Sequence, residues 1–310
     1  MSDKTVDVII PTYKPGKELE LLIKRLRKQT LLPGRIILIN TQEEFFPTLS
    51  PQAAEVTEVY HISKKEFDHG ATRHLGMTLS EADYVLFLTM DAVPVNKRLI
   101  EKLLAGFEEK GTDVAVVYGR QVPKKDCRPM ECYTRKFNYP AKSSLKTAGD
   151  LKNLGVKTYF CSDVCAMYDR NLYFELGGFP QKAIFNEDMI YAAGAIKAGY
   201  GIFYQAEAVV CHSHNYSLSR QLSRNFDLGV SQKMHPEVFE GVSSEGEGIR
   251  LVFNTAKYLV DKGHPFEVVY LLASSLAKYT GYLLGKNYTA LSRKTILKLT
   301  SNREFWDNMG

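Results

Sequence analysis

Short apolar runs alternate with stretches of helical spacing through the first third of the chain. Val6-Asp7-Val8-Ile9-Ile10, closed by Pro11, reads as a buried strand. Leu19, Leu22, Ile23 and Leu26 follow at helical spacing, then Arg35-Ile36-Ile37-Leu38-Ile39 as a second strand and Val56 to Ile62 as a weaker third. Ala71, Leu75 and Leu79 suggest a helix before Tyr84-Val85-Leu86-Phe87-Leu88, the clearest strand. Ile100, Leu103, Leu104 and Phe107 make another helix, and Val114-Ala115-Val116-Val117 another strand. Strands separated by helices imply an α/β fold, a mostly parallel sheet with helices on both faces.

The pattern changes twice. From about Gly119 to Lys157 it is polar and rich in Lys, Arg and Pro, which predicts a long irregular functional loop or lid. Regular structure resumes near Tyr159, with a helix predicted from Glu187 to Ala198 and a strand-like Ala208-Val209-Val210-Cys211. From Ser217 onward the spacing is helical only, over Leu218 to Leu228, Ile249 to Val260, Phe266 to Leu284 and Leu291 to Leu299. The expected organisation is an α/β domain over 1–215, itself divided into 1–118 and 119–215, and a helical region over 216–310. Trp306, the single Trp, is assigned to packing of that tail.

Composition narrows the function. The 310 residues carry 40 Lys+Arg against 35 Asp+Glu, a formal charge of +5 without long runs of one sign. A uniform nucleic-acid binder would show a denser basic stripe, so no nucleic-acid partner is expected. The 16 Phe and 18 Tyr exclude a solvated, disordered chain. The 5 Cys are odd in number and scattered, as buried free thiols of a reducing compartment would be; Cys161 and Cys165 are spaced for one helix face. Met1-Ser2-Asp3-Lys4 leads into the first strand without an apolar core of signal-peptide length, and the longest apolar stretch, Val268 to Ala277, is too short to span a bilayer. The expectation is a cytoplasmic protein that could rest on a membrane.

Ligands of open parallel sheets bind beyond the carboxyl ends of the strands. There the first strand leads into Pro11-Thr12-Tyr13-Lys14, the second into Asn40-Thr41, and the strand ending at Leu88 into Thr89-Met90-Asp91-Ala92-Val93-Pro94. A carboxylate at Asp91 is costly at the end of a buried strand unless a cation neutralises it, as Mg2+ or Mn2+ would. Asn186-Glu187-Asp188 opens a helix, where the dipole favours acids. His212 and His214, at i and i+2 of an extended segment, point to one side and could join Asp91 at a metal. Each feature also has a plain reading: a turn acid, a helix-start acid, a hydrogen-bonded His pair. Singly, none specifies a reaction.

Taken in order along the chain, these segments resemble family 2 glycosyltransferases, inverting enzymes of the GT-A fold, over about Val6 to His214. Phe67-Asp68-His69-Gly70-Ala71-Thr72-Arg73, Leu88-Thr89-Met90-Asp91-Ala92-Val93-Pro94, Phe160-Cys161-Ser162-Asp163 and Leu176-Gly177-Gly178-Phe179 are similar to the bacterial rhamnosyltransferases among them. The resemblance implies a nucleotide-sugar donor, deoxythymidine-diphosphate-rhamnose (dTDP-rhamnose), and a glycan or glycolipid acceptor in cell-surface glycan synthesis. It implies that 1–118 holds the donor and 119–215 serves acceptor and catalysis.

For single residues it implies that Pro11, Thr12, Tyr13 and Asn40 hold the nucleotide, with His69, Gly70, Arg73, Met90, Asp91 and Ala92 also at the donor. Asp188 would be the general base, paired with Glu187. Ser162, Asp163 and Asn186 would line the sugar or acceptor pocket, and His212 and His214 would share the divalent metal with Asp91. Gly70 could admit a phosphate or cap a turn; Arg73 could meet the diphosphate or sit on a helix surface. Gly177-Gly178-Phe179-Pro180 reads as a turn positioning the Asn186 loop.

Two positions depart from the family pattern. Val93 stands where the second Asp of an Asp-X-Asp motif belongs, so metal binding must lean on Asp91 and a histidine. Asn40 stands where many relatives carry an Asp for the base. A UDP-hexose donor and a non-catalytic carbohydrate-binding protein remain the alternatives. Lys257, Lys262, Lys278, Lys286, Arg293, Lys294 and Lys298 lie among apolar tail positions, as in a basic amphipathic membrane-surface helix or in a helical cap with a solvated face. A homo-oligomer is compatible with the sequence.

Overall fold

The computed structural model describes residues 4–108, 113–241 and 245–309. The reading of Met1–Asp3 therefore lies outside the described residues. The strands are β1 Val6–Tyr13, β2 Ile36–Thr41, β3 Thr57–Ile62, β4 Tyr84–Leu88, β5 Val93–Pro94, β6 Val114–Val122, β7 Ser144–Lys146, β8 Cys165–Asp169 and β9 Gly201–Cys211. They form one sheet in the order β3-β2-β1-β4-β8-β6-β9-β5, with β7 paired to β9. β1, β2, β3 and β4 are parallel to one another; β8 opposes both β4 and β6, which returns β6 and its parallel partner β9 to the first direction. The sheet is thus mostly parallel, with β5, β7 and β8 reversed.

Alternation along the strands builds a core on each face. Val8 and Ile10 of β1, Ile36 and Leu38 of β2, and Leu86 and Leu88 of β4 point one way. They pack on α1 Lys17–Leu26 through Leu19, Leu22, Ile23 and Leu26. Ile9, Ile37, Ile39, Val85 and Phe87 point the other way, as a period of two requires. The remaining helices of this part are α2 Pro51–Ala54, α3 His69–Leu79, α4 Leu99–Glu108, α5 Pro129–Asn138, α6 Leu151–Leu154, α7 Arg170–Glu175 and α8 Glu187–Lys197.

The polar stretch from 119 to 157 is not the irregular loop expected of it. β6 runs through to Val122, α5 and β7 follow, and a 3₁₀ turn at Ala148–Asp150 leads into α6. Its charges belong to ordered structure: Glu131 and Arg135 pair one helical turn apart on α5 at 2.7 Å, and Arg135 reaches on to Gln121 at 2.6 Å. The expected boundary at 118/119 falls inside β6. Cys161 and Cys165 do not share a helix; Cys161 lies in a loop and Cys165 opens β8.

The tail folds as α9 Leu218–Met234, α10 Pro236–Phe239, α11 Glu245–Asp261, α12 Glu267–Lys286, α13 Arg293–Leu299 and α14 Arg303–Asp307. α9 and α12 approach closely because Gly229, Gly281 and Gly285 face the opposite backbone. Phe226, Val230, Ile296, Phe305 and Trp306 enclose Ile184 from the loop before α8, so the tail shares a core with the α/β part. No helix among the described residues is long and apolar enough to cross a membrane.

Candidate active site

Asp91 follows β4 in a tight turn, closed by the Ala92 amide donating to the Thr89 carbonyl at 3.0 Å. Ala92 is fully buried and Met90 partly buried against the core, so the turn presents the Asp91 carboxylate between two packed neighbours. His212 and His214 leave the end of β9 on the same side. Their Nε2 atoms stand 3.5 and 3.6 Å from the Asp91 oxygens. One ligand atom from each of the three lies within 4.8 Å of the others. Lys124 Nζ also reaches Asp91, at 3.0 Å. Burial alone would raise the Asp91 carboxyl, but His212, Lys124 and His214 outweigh it and hold it below the usual range.

The histidines suit metal ligation. Burial pushes His212 down to about 3, so its imidazole is neutral with a lone pair to give. His212 Nδ1 lies 2.9 Å from Gln121 Oε1, a contact that requires the proton on Nδ1 and leaves Nε2 directed at Asp91. His214 is stacked on Tyr216 at 4.9 Å. A divalent ion therefore fits this donor set, and Asp91, His212 and His214 are the residues that would hold it.

Gln121 escaped the sequence reading and joins this pole to the next. Its Oε1 meets His212 and accepts from Arg135, while its Nε2 donates to Tyr139 Oη at 2.5 Å and to Ser162 Oγ at 3.1 Å. Ser162 leads into Asp163, whose amide donates to Asp188 Oδ2 at 3.3 Å. Asp91 and Asp188, far apart in sequence, thus belong to one polar network. The only signal that could have marked Gln121 is its place in a strand neighbouring the histidines, a pairing invisible in one dimension.

Of three acids at the second pole, two share one cation. Arg73, buried on α3, meets Asp163 at 3.0 Å and Glu187 at 2.9 Å. Tyr168 Oη donates to Asp163 at 2.6 Å. Asp188 has no such cation; burial, Asp163 and Glu187 drive its carboxyl well above the usual range. Burial, with Glu187 adding, raises Asp163 to about 7 against the pull of Arg73. Glu187 is held low by Arg73 and His69 despite its burial. The acids therefore divide into one charged and clamped, Glu187, and one whose carboxyl binds its proton more tightly than usual, Asp188.

Several expectations change at this point. Arg73 is not a surface charge: its guanidinium is buried against Asp163 and Glu187. Gly70 admits backbone rather than phosphate: a Cβ there would strike the Pro180 carbonyl. Asp68 completes that joint, accepting from the Gly70 and Ala71 amides at 2.9 Å and from the Ala183 amide at 2.8 Å. The Asp68–Arg73 segment thus fastens α3 to the loop that carries Glu187 and Asp188, with the partly buried His69 beside Glu187. Gly177 and Gly178 take positive φ in the turn that opens this loop, as expected.

Asn186 caps α8 in the left-handed region at φ 64°, a conformation Asn tolerates. Its side chain donates to Ser231 of α9 at 3.2 Å instead of lining a pocket. Asn40 is likewise internal: Thr12 Oγ1 donates to it at 3.1 Å, and its amide meets the Gln42 carbonyl and His61. Thr12 is buried with it, Pro11 is partly buried, and Tyr13 is exposed, its ring edge-on to Phe45 at 6.4 Å. Lys14 Nζ lies 3.9 Å from the Phe45 ring. The exposed surface at the end of β1 is therefore aromatic and cationic, and Phe45 and Lys14 belong to it.

A mostly parallel sheet with a carboxylate–imidazole cluster beyond one strand end and a buried acid pair beside it agrees with the GT-A glycosyltransferase class that the order of motifs implied. The model of glycosyl transferase family 2 matches residues 7–177, and the chain belongs to that family. It is 36% identical over 310 residues to the O-antigen chain rhamnosyltransferase RfbN of Salmonella typhimurium, covering 98% of this chain and 96% of that one. With the O-antigen chain rhamnosyltransferase WbaN of Salmonella anatum it shares 38% over 307 residues, 97% and 96% of the two chains. Among solved structures, the mannosyltransferase PcManGT of Pyrobaculum calidifontis, in complex with GDP-Man and Mn2+, superposes with a TM-score of 0.55 at 16% identity, covering all of this chain and 84% of that one. S. aureus TarS 1–349 with UDP-GlcNAc gives 0.51 at 14%, covering 92% and 91%. These two similarities concern the fold.

Proposed function

We propose that this chain transfers L-rhamnose from dTDP-β-L-rhamnose, with inversion, to a hydroxyl of a lipid-linked or polysaccharide acceptor in cell-surface glycan synthesis. The observation that carries the chemistry is the continuous path from Asp91 and His212 through Gln121 and Ser162 to Asp188. Similarity along the whole chain to two rhamnosyltransferases supports the sugar. Residues 1–118 hold the donor, 119–215 bring the histidines and the base, and 216–310 brace the base-bearing loop. The proposed location is the cytoplasm, at the inner face of the cell membrane.

A divalent ion on Asp91, His212 and His214 would stabilise charge on the departing diphosphate as a Lewis acid. Two imidazoles and one carboxylate suit Mn2+ better than Mg2+, which prefers all-oxygen sites. Lys124 adds a positive charge at the same place. The nucleobase rests on Tyr13 and Phe45, and Thr12 and Asn40 shape the loop beneath them. As the acceptor oxygen attacks the anomeric carbon, its proton passes to the Asp188 carboxylate and the bond to diphosphate breaks. Burial among acids makes Asp188 a strong base, and Glu187, locked to Arg73, holds the start of α8 in place.

The test is transfer from dTDP-rhamnose with Mn2+ and a panel of glycolipid acceptors. Asp188→Asn should lower kcat by about 10²–10⁴-fold and leave donor affinity within a few fold. Full transfer by Asp188→Asn would sink the mechanism. Turnover of UDP-hexoses with none of dTDP-rhamnose would sink the sugar assignment.

A further inference from the structure

The hairpin of α11 and α12 carries an apolar face that stays exposed among the described residues. Every exposed side chain of α12 is apolar: Val269, Leu272, Leu276, Tyr279 and Leu283. They recur at i, i+3, i+7, i+10 and i+14, a single stripe along the helix. α11 adds Ile249, Phe253 and Val260, again on one stripe. Both stripes flank the buried seam where Leu259 meets Leu271, and Phe266 joins them at the turn with 90% of its surface exposed. At roughly 150–250 Å² for a large aromatic side chain, less for an aliphatic one, the face totals on the order of 1,000 Å². Soluble monomers rarely expose more than a few hundred Å² of contiguous apolar surface.

Charge identifies the occupant. At the turn end of the hairpin the exposed charged side chains are Lys257 and Lys262 against Asp261, so the edge beside Phe266 is basic, while the acids Glu245 and Glu247 belong to the opposite end of α11. Lys278, which the sequence suggested for this role, is largely buried and its ammonium is depressed by that burial. A broad two-helix apolar surface with an aromatic tip and basic edges is the pattern of a helix pair lying in a lipid headgroup layer. The location agrees: Tyr270, near the start of α12, donates to the Tyr216 carbonyl at 2.9 Å, and Arg128 stacks on Tyr270 at 4.4 Å. Tyr216 is the residue against which His214 stacks. The hairpin therefore borders the candidate site.

We infer that the α11–α12 face seats this enzyme on an anionic bilayer, with Phe253, Phe266 and Leu276 entering the acyl boundary and Lys257 and Lys262 among the headgroups. The inference does not depend on which sugar is moved. Its test is flotation of the full chain with vesicles of phosphatidylglycerol and phosphatidylethanolamine, compared with pure phosphatidylcholine. Wild type should float with the anionic vesicles, and the triple variant Phe253→Ser, Phe266→Ser, Leu276→Ser should lose at least about tenfold in partitioning. Lys257→Glu with Lys262→Glu should remove the preference for anionic lipid. Phe266→Leu should bind as wild type, and thermal melts should show all variants folded. Wild type that stays unbound, or a triple variant that floats like wild type, would overturn the inference. So would a wild-type dimer in sedimentation that the triple variant dissolves, since a second copy would then cover the face.

Discussion

Gln121 shows how much of a candidate metal site lies outside the residues that would hold the ion. His212 could carry its proton on either nitrogen; the Gln121 carbonyl oxygen selects Nδ1 and turns Nε2 toward Asp91. Gln121→Leu removes that acceptor and leaves Arg135 without it, while Glu131 still holds the guanidinium. Mn2+ affinity should fall by about 10–100-fold, read by the electron paramagnetic resonance of free Mn2+ in titrations of the protein alone. Gln121→Glu should restore much of it. Unchanged affinity in Gln121→Leu would mean that the imidazole is oriented by something else. Arg73 teaches a related lesson, because a buried cation can be engaged by the fold's own carboxylates. Its two carboxylate partners set which acid stays charged and which is free to accept a proton.

Between elements, glycine decides how closely α9 and α12 lie. A Cβ at Gly285 would strike the Phe226 carbonyl, and one at Gly281 would strike that of Leu222. Gly285→Ala should force the helices apart and cost about 1–3 kcal/mol, measured by urea unfolding. A cost below a few tenths would show that the helix pair can slide without penalty. The separation matters for the site because Ser231 of α9 accepts from Asn186 and itself donates to the Phe185 carbonyl at 2.7 Å. The helical tail therefore fixes the loop from which α8 starts. Removing the tail would also strip the cover from Ile184, so a tail deletion probes folding as well as any membrane contact.

Over the whole molecule, the buried acids couple stability to pH. A carboxyl raised by folding contributes stability that is present below its unfolded value and lost as pH rises through its folded value. The contribution of Asp163, raised from 3.8 to about 7, should therefore be lost as pH rises from about 4 to 7, and Asp188 acts in the same direction. Glu187 is lowered and acts oppositely, losing its contribution only in acid. Lys146, buried and depressed to about 7, also acts oppositely above that pH. The informative comparison is thus between wild type and Asp163→Asn: the melting temperature of the variant should fall less steeply from about pH 4 to 7. Parallel slopes would contradict the burial of a titrating Asp163. Transfer itself should improve with rising pH as Asp188 loses its proton, so activity and stability trade against each other.

The alternation of apolar runs was sufficient to place β1, β2, β4 and the helices between them, because strand and helix periods are local properties of neighbouring residues. The order of Pro11, Asp91, Asp188 and His212 likewise carried the enzyme class. The stretch from 119 to 157 was misread because its polar side chains face one another across α5 and β6, which no local pattern records. For the same reason Arg73, Gly70, Asn40 and Asn186 could be named but not given their tasks. Each is defined by a partner distant in sequence: Glu187, Pro180, Thr12 and Ser231. Sequence alone determined the fold class and the enzyme family. Only the tertiary structure decided which of the named residues stand free to act, since a charge or an amide already matched inside the fold has no interaction left to offer a substrate.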